Sequence, residues 1–202
     1  REDTITDGDG DKARDSQTLD ISAALRFEDD VPRIDLGLYE APLPTLTTQD
    51  AQTVGMASDT ASGQFAALFS VSADAGADGQ RNHTIEYTLS VGNNGATSLT
   101  SDGQAVTLVQ VGAEVYGRTG TGNTSTNIFK VSVDANTGEV TLTQFAELDH
   151  TGEGDDNDAF NNSANLLGLP DGAITLTRED TITDGDGDKA RDSQTLDISA
   201  AL

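Results

Sequence analysis

Cysteine and tryptophan are both absent from this 202-residue chain. Without thiols, neither a disulfide nor a thiolate metal site can staple the fold, so a secreted protein of this composition needs another source of rigidity. Basic residues are scarce, with 11 Lys and Arg against 35 Asp and Glu, a formal charge of −24. That balance excludes the positive footprint which nucleic acid and anionic membranes require. No run of about 18 apolar residues occurs, so no segment is expected to span a bilayer as a helix. No basic stretch precedes an apolar one near the start, so no secretory signal is read there. The chain begins with Arg, not Met, and reads as a fragment of something longer.

What the chain does hold is a long exact duplication. The stretch REDTITDGDGDKARDSQTLDISAAL occupies residues 1–25 and again 178–202, an offset of 177 without one substitution. Drift would have blurred an old duplication. The simplest account is a tandem array with a domain-sized period, of which slightly more than one period is present. An engineered repetition at the two ends is the mundane alternative.

The composition is not that of a disordered chain. Hydrophobic residues make up 35%, gathered in short alternating runs. Gln64–Val71, Thr84–Val91, Ala105–Val111, Asn127–Val133 and Glu139–Phe145 have strand lengths. In TIEYTLSV, Ile85, Tyr87, Leu89 and Val91 should share an inward face. DANTG (Asp134–Gly138) reads as a hairpin loop with Gly138 at positive φ, and VGNNG (Val91–Gly95) as another turn. Ala173–Thr177 and Thr181–Thr183 lead into DGDGD, after which Leu196, Ile198, Ala200 and Leu202 alternate. Ala159–Leu167 is the one weak helical candidate. Many short strands with regular turns predict an all-β fold, an antiparallel β-sandwich.

The carboxylates cluster. In Asp7, Asp9 and Asp11, and in their copies Asp184, Asp186 and Asp188, acids alternate with glycines that let the backbone fold tightly. Converging anions repel unless a hard cation sits between them, and calcium, with six to eight oxygen ligands in flexible geometry, suits such a set. The loop is not an EF-hand, because Lys12 follows the third Asp where that motif has Gly, and Thr18 stands where it has Glu. A solvated acidic turn is the bland alternative. Glu28, Asp29 and Asp30 precede Val31-Pro32, whose geometry favours extended chain. They predict a cation-clamped hinge at a module junction, against an ordinary polar linker. The run Asp149–Asp158, with Asp155, Asp156 and Asp158, is as readily a mobile acidic loop as a metal site. Asp74 and Asp78 in SADAGADG are weaker candidates still.

Taken in order, DGDGDKARD, FEDDVP, VSADAGADG, IEYTLSV, DGQAVTLVQVGAEVYGR, IFKVSVDANTGEVTLTQFAELDH and GAITLTREDTITDGDGD resemble the repeats of large bacterial type I-secreted adhesins of the repeats-in-toxin (RTX) class. The resemblance runs over almost the whole period. It implies immunoglobulin-like sandwich extender modules with calcium (Ca²⁺) in loops and junctions, projecting an adhesive domain carried elsewhere on the parent chain for cell attachment or biofilm formation. It also implies an extracellular location at the bacterial surface, export without an N-terminal signal, and folding driven by external calcium. The implied partners are calcium and neighbouring repeats, with no nucleic acid and no direct membrane insertion.

The expected layout is residues 1–25 as terminal strands of a preceding repeat or part of a split domain, 26–33 as a calcium-clamped linker, and 34–202 as the extender repeat. Catalysis is not expected. His83 reads as a surface loop residue and His150 as a donor to one of its acidic neighbours, and nothing singles out a carboxylate pair for glycoside chemistry. The alternative function is a carbohydrate- or surface-binding sandwich. Phe69, Tyr87 and Phe129 fall on strands, however, where core packing is the commoner role.

Overall fold

A computed structural model describes residues 1–53, 57–150 and 166–202, in two compact units, Arg1–Asp30 and Val31–Leu202. Thirteen strands and no α-helix are found among the described residues. All strand pairing is antiparallel, as the alternating patterns predict.

The first unit is a hairpin, β1 (Glu2–Thr6) with β2 (Lys12–Ser16), followed by a 3₁₀ turn at Ser22–Ala24. The DGDGD turn closes it. Asp7 N–H donates to the Asp11 carbonyl at 2.9 Å, and Gly10 sits at φ +101.

The second unit is a sandwich. One layer has six strands in the order β4 (Asp59–Gln64), β11 (Glu139–Gln144), β10 (Thr126–Val133), β9 (Glu114–Thr119), β8 (Gln104–Val111) and β7 (Ala96–Ser101). The other contains β13 (Lys189–Asp197), β12 (Ile174–Asp184) and β6 (Gln80–Val91). The pair β3 (Arg33–Leu38) and β5 (Phe69–Asp74) runs beside β13, where Leu36 N–H donates to Asp192 Oδ2 at 2.7 Å. Tyr87, Leu89, Ile174, Leu176 and Ile198 from one layer meet Val106, Leu108, Val115, Val131 and Val140 from the other in a single apolar cluster. The Phe69 ring packs edge-on to Tyr87, with centroids 5.9 Å apart.

Three sequence expectations change, and β10 adds an irregularity of its own. Gln64–Val71 is not one strand: β4 ends at Gln64, a 3₁₀ turn spans Ala66–Leu68, and β5 starts at Phe69. Here the chain crosses from one layer to the other, so Phe65, Leu68 and Phe69 are all buried and the two-residue alternation is lost. On β6, Tyr87 and Leu89 are buried as expected, whereas Ile85 stays 36% exposed. Alternation also stops after Asp197, because a 3₁₀ turn at Ser199–Ala201 buries Ser199 and Ala201 instead of Ala200. On β10, Ile128 and Phe129 are both buried because a bulge between Asn127 and Phe129 shifts the register. Gly138 takes φ +70 as predicted, while the VGNNG turn uses Asn93 and Asn94 at positive φ. The helical candidate Ala159–Leu167 lies almost wholly outside the described residues.

The duplicated segment forms the same hairpin twice, although β2 stops at Ser16 while β13 runs on to Asp197, the copy of Asp20. Glu2↔Ser16 through Thr6↔Lys12 repeat as Glu179↔Ser193 through Thr183↔Lys189, and both copies end in a 3₁₀ turn. Turn chemistry fixes hairpin register locally, which accounts for the identity. Burial differs completely. Ile5 is 72% exposed and Ile21 57%, while their copies Ile182 and Ile198 are at 0%. Hence the same substitution should have two costs. Ile198→Ala should destabilise the second unit by about 2–5 kcal/mol in urea denaturation, and Ile21→Ala should stay within about 0.5 kcal/mol. Equal effects at the two sites would contradict the burial described.

Candidate cation sites and the charged end of the sandwich

Strand β12 points every second side chain inward along its whole length. Ile174 and Leu176 come first, then Arg178, Asp180, Ile182 and Asp184, all buried. Charge therefore replaces hydrocarbon partway along one strand. Arg178 Nε and Nη2 grip the two oxygens of Asp180 at 2.7 and 2.8 Å, and His83 Nε2 lies 2.8 Å from Asp180 Oδ2. The Arg178 guanidinium also faces the Tyr87 ring, 5.7 Å from its centroid. His83 is thus not a surface loop residue: it lies on β6, opposite Ile182, and faces Asp180. Bidentate Arg with a further donor supplies the hydrogen bonds that burial takes from a carboxylate. The sequence reading missed Arg178 and Asp180. The available signal was that both fall on the inward parity set by Ile174, Leu176 and Ile182.

Beyond that ion pair lies the second DGDGD loop. Asp184 is fully buried, and its Oδ1 accepts the N–H groups of Gly187 at 3.0 Å and Asp188 at 2.8 Å. Its Oδ2 is buried without a hydrogen-bond partner. Burial opposes ionisation of Asp184, but contacts with Asp186 and with the two N–H groups outweigh it and hold the carboxyl below its usual range. The Asp186 carboxyl is pushed up by the same contact with Asp184. Carboxylate oxygens of Asp186 and Asp188 lie within 4.8 Å of each other. Gly185 packs on the SADAGADG loop so closely that an added Cβ would stand 2.5 Å from the Asp78 carbonyl oxygen. A weak sequence candidate is thereby brought beside a strong one, through its backbone and not its side chain.

In the first unit, Asp7 Oδ1 accepts N–H groups from Asp9, Gly10 and Asp11 at 3.3, 3.1 and 2.9 Å. Oxygens of Asp7, Asp9 and Asp11 all lie within 4.8 Å of one another, in an exposed turn. The first loop therefore converges all three of its acids and the second brings Asp186 and Asp188 together, and oxygen donors of this kind suit a hard cation. Six or more oxygens are expected around calcium, which leaves room for backbone carbonyls and water. Glu28, Asp29 and Asp30 are exposed at the end of the first unit, where Asp29 Oδ1 accepts the Asp30 N–H at 3.1 Å. Asp74 Oδ1 accepts the Gly76 N–H at 3.0 Å. His150 Nδ1 sits 3.2 Å from Asp50 Oδ2, a carboxylate distant in sequence. Asp155, Asp156 and Asp158 lie outside the described residues.

Residues 45–199 match the family described as Domain of unknown function (DUF5801). The chain belongs to this family. No curated protein and no solved structure matches it. The matched span of the DUF5801 domain starts ahead of β4 and ends in the 3₁₀ turn after β13, so it includes the second DGDGD loop and excludes the first.

At the opposite end of β13, Asp197 fixes the last turn. Its Oδ1 accepts the Ser199 N–H at 2.9 Å and hydroxyl at 2.6 Å, and its Oδ2 accepts the Gly172 N–H at 2.7 Å. Burial opposes ionisation, but these bonds outweigh it and lower the pKa. The folded value lies below the unfolded one of about 3.9. Asp197 therefore contributes stability above about pH 3.9 that is lost as pH falls through its folded pKa. Melting curves between pH 7 and 2 should show a smaller acid-induced drop for Asp197→Asn than for the parent, from a lower starting point. Parallel curves would remove Asp197 as a contributor.

Proposed function

We propose that this DUF5801 domain is a calcium-rigidified spacer, an extender repeat from a long RTX-type adhesin at the bacterial surface, with no catalytic role. The observation that supports the calcium reading best is Asp184. A fully buried carboxylate oxygen with no hydrogen bond is costly to leave bare, and it belongs to a loop with two further acids, Asp186 and Asp188. A divalent ion there would satisfy Asp184 Oδ2 and relieve the repulsion between the Asp184 and Asp186 carboxylates. The net charge of −24 favours the same reading, since bound cations relieve self-repulsion. The exact duplication, the cysteine-free composition and the resemblance to RTX repeats support the tandem array and the extracellular setting. Neighbouring repeats and calcium are the proposed partners, and Glu28, Asp29 and Asp30 are the proposed junction ligands. Adhesive contacts belong to other domains of the parent chain.

Extracellular calcium modules bind with dissociation constants of roughly 10⁻⁴–10⁻³ M. Calcium at tenfold excess then adds about 1.4 kcal/mol per site. For a unit of this size that is a rise of roughly 3–5 °C in melting temperature per site. Isothermal titration of chelator-stripped protein should give saturable heat and a higher melting temperature, and Asp184→Asn should remove the share of the closing loop. A stripped protein with an unchanged melting curve and no binding heat would overturn the reading.

A further inference from the structure

We infer that the outer face of β8, β9 and β10 is a saccharide-binding surface, on which Arg118 receives the carboxylate of an acidic sugar such as a uronate. The inference goes beyond the spacer reading and depends on neither calcium nor the repeat. It puts a ligand contact on the body of the module itself.

Acids are scarce on these strands although the chain is full of them. From Gly103 to Val133 the sequence has one, Glu114, against two bases, Arg118 and Lys130. Val115, Gly117 and Thr119 are buried, so Glu114, Tyr116 and Arg118 take the outward side of β9. Lys130 stands opposite Tyr116 and shares that side. Glu114 is already answered: Lys130 Nζ reaches its Oε1 at 2.8 Å, and the Tyr116 hydroxyl donates to its Oε2 at 2.8 Å. Arg118 is left as the uncompensated charge of this group.

Its side chain is fixed by neutral groups. Arg178 and Arg191 each hold a carboxylate. Arg118 instead lays its guanidinium over the Tyr116 ring, 4.7 Å from the centroid, and its Nε donates to Asn127 Oδ1 at 2.7 Å. Among the described residues no carboxylate pairs with it. A ring and an amide therefore orient the guanidinium without neutralising it, and its terminal nitrogens stay available. That fork matches a carboxylate with two parallel hydrogen bonds, and a side chain already ordered loses less freedom when a ligand arrives.

Strand register supplies the rest of the platform. Thr107, Arg118 and Asn127 stand side by side on three strands, with Val109, Tyr116 and Lys130 in the next row. Neighbouring strands lie about 4.8 Å apart, a step comparable to one sugar ring. Thr107 and Asn127 are exposed and offer a hydroxyl and an amide to sugar hydroxyls, while Val109, 38% exposed, offers apolar surface to the C–H groups of a ring. The charge of the whole chain limits the ligand further. At physiological ionic strength, charges more than about 8 Å away are largely screened, so a single carboxylate at Arg118 responds to the local positive charge. A long polyanion would run on over the rest of a surface with net charge −24. The ligand that fits is a neutral glycan carrying an isolated acidic residue.

Nitrogen NMR on the full chain tests this, following the Arg118 Nε–H and the Asn127 side-chain amide with methyl glucuronide, methyl glucoside and acetate as probes. The glucuronide should shift both signals saturably, with a dissociation constant in the millimolar range, and the glucoside and acetate should each bind several-fold more weakly. Arg118→Gln should abolish saturation of the Asn127 amide. Arg118→Lys, which keeps the charge and loses the fork, should weaken binding several-fold. Both variants should keep the parent's melting temperature, since the side chain lies on the outer face. Arg191→Gln, a change at an arginine already paired with Glu179, should bind like the parent. The inference fails if the glucuronide does not saturate by tens of millimolar, or if Arg118→Gln binds it as the parent does. A glucoside equal to the glucuronide would remove the carboxylate from the recognition, and acetate equal to it would remove the sugar, and either result overturns the proposal.

Discussion

Strand β12 buries every second residue from Ile174 to Asp184, and the chemistry of those residues changes from hydrocarbon to charge along the way. The rest of the second unit depends on how that strand is covered. At its start, Ile174 and Leu176 belong to the apolar cluster shared by both layers, and fully burying one such side chain is worth about 1.5–3 kcal/mol. Further along, the inward positions hold Arg178 and Asp180. Their burial is tolerable because Arg178 reaches both oxygens of Asp180 and His83 adds a second contact to Oδ2. Removing Arg178 or Asp180 would leave the other buried without its charge partner, a far larger penalty than the pair's net gain.

The last inward position breaks this pattern. Asp184 has the burial of Asp180 but no cation among its partners, and backbone N–H groups satisfy only one of its oxygens. A protein with so large an excess of acids has few basic side chains to spare, and the nearest one in sequence, Lys189, is exposed. The two solutions to a buried carboxylate, an internal guanidinium or an external ion, therefore divide the two ends of one strand. On the proposed reading, the module is built to be complete at its apolar end and conditional at its acidic end. Its solution conditions, and not its sequence alone, would then set how firmly that end is closed.

Much of this was legible in advance. The inward parity of Tyr87 and Leu89 in TIEYTLSV, the DANTG hairpin and the tight turn of DGDGD follow from two-residue periodicity and turn chemistry, both local properties. What local patterns could not reveal were events decided by tertiary path. FAAL looks like strand until the chain must change layers there, and the alternation of Leu196, Ile198, Ala200 and Leu202 is broken by the 3₁₀ turn at Ser199–Ala201. His83 reads as a loop residue because its partner is 97 positions away. Asp78 looked weak because its side chain was being judged, whereas its backbone carbonyl is what meets Gly185.

The duplicated segment separates these two kinds of information within a single molecule. Twenty-five identical residues give the same register, the same Asx turn and the same terminal 3₁₀ turn in both places, so secondary structure here is a property of the segment. Burial is not, since Ile5 and Ile182 lie at opposite extremes. A hairpin that forms its own hydrogen bonds but cannot cover its own apolar face is structurally finished and energetically incomplete. Such an element is suited to repetition, because each copy arrives preformed and needs only a seat.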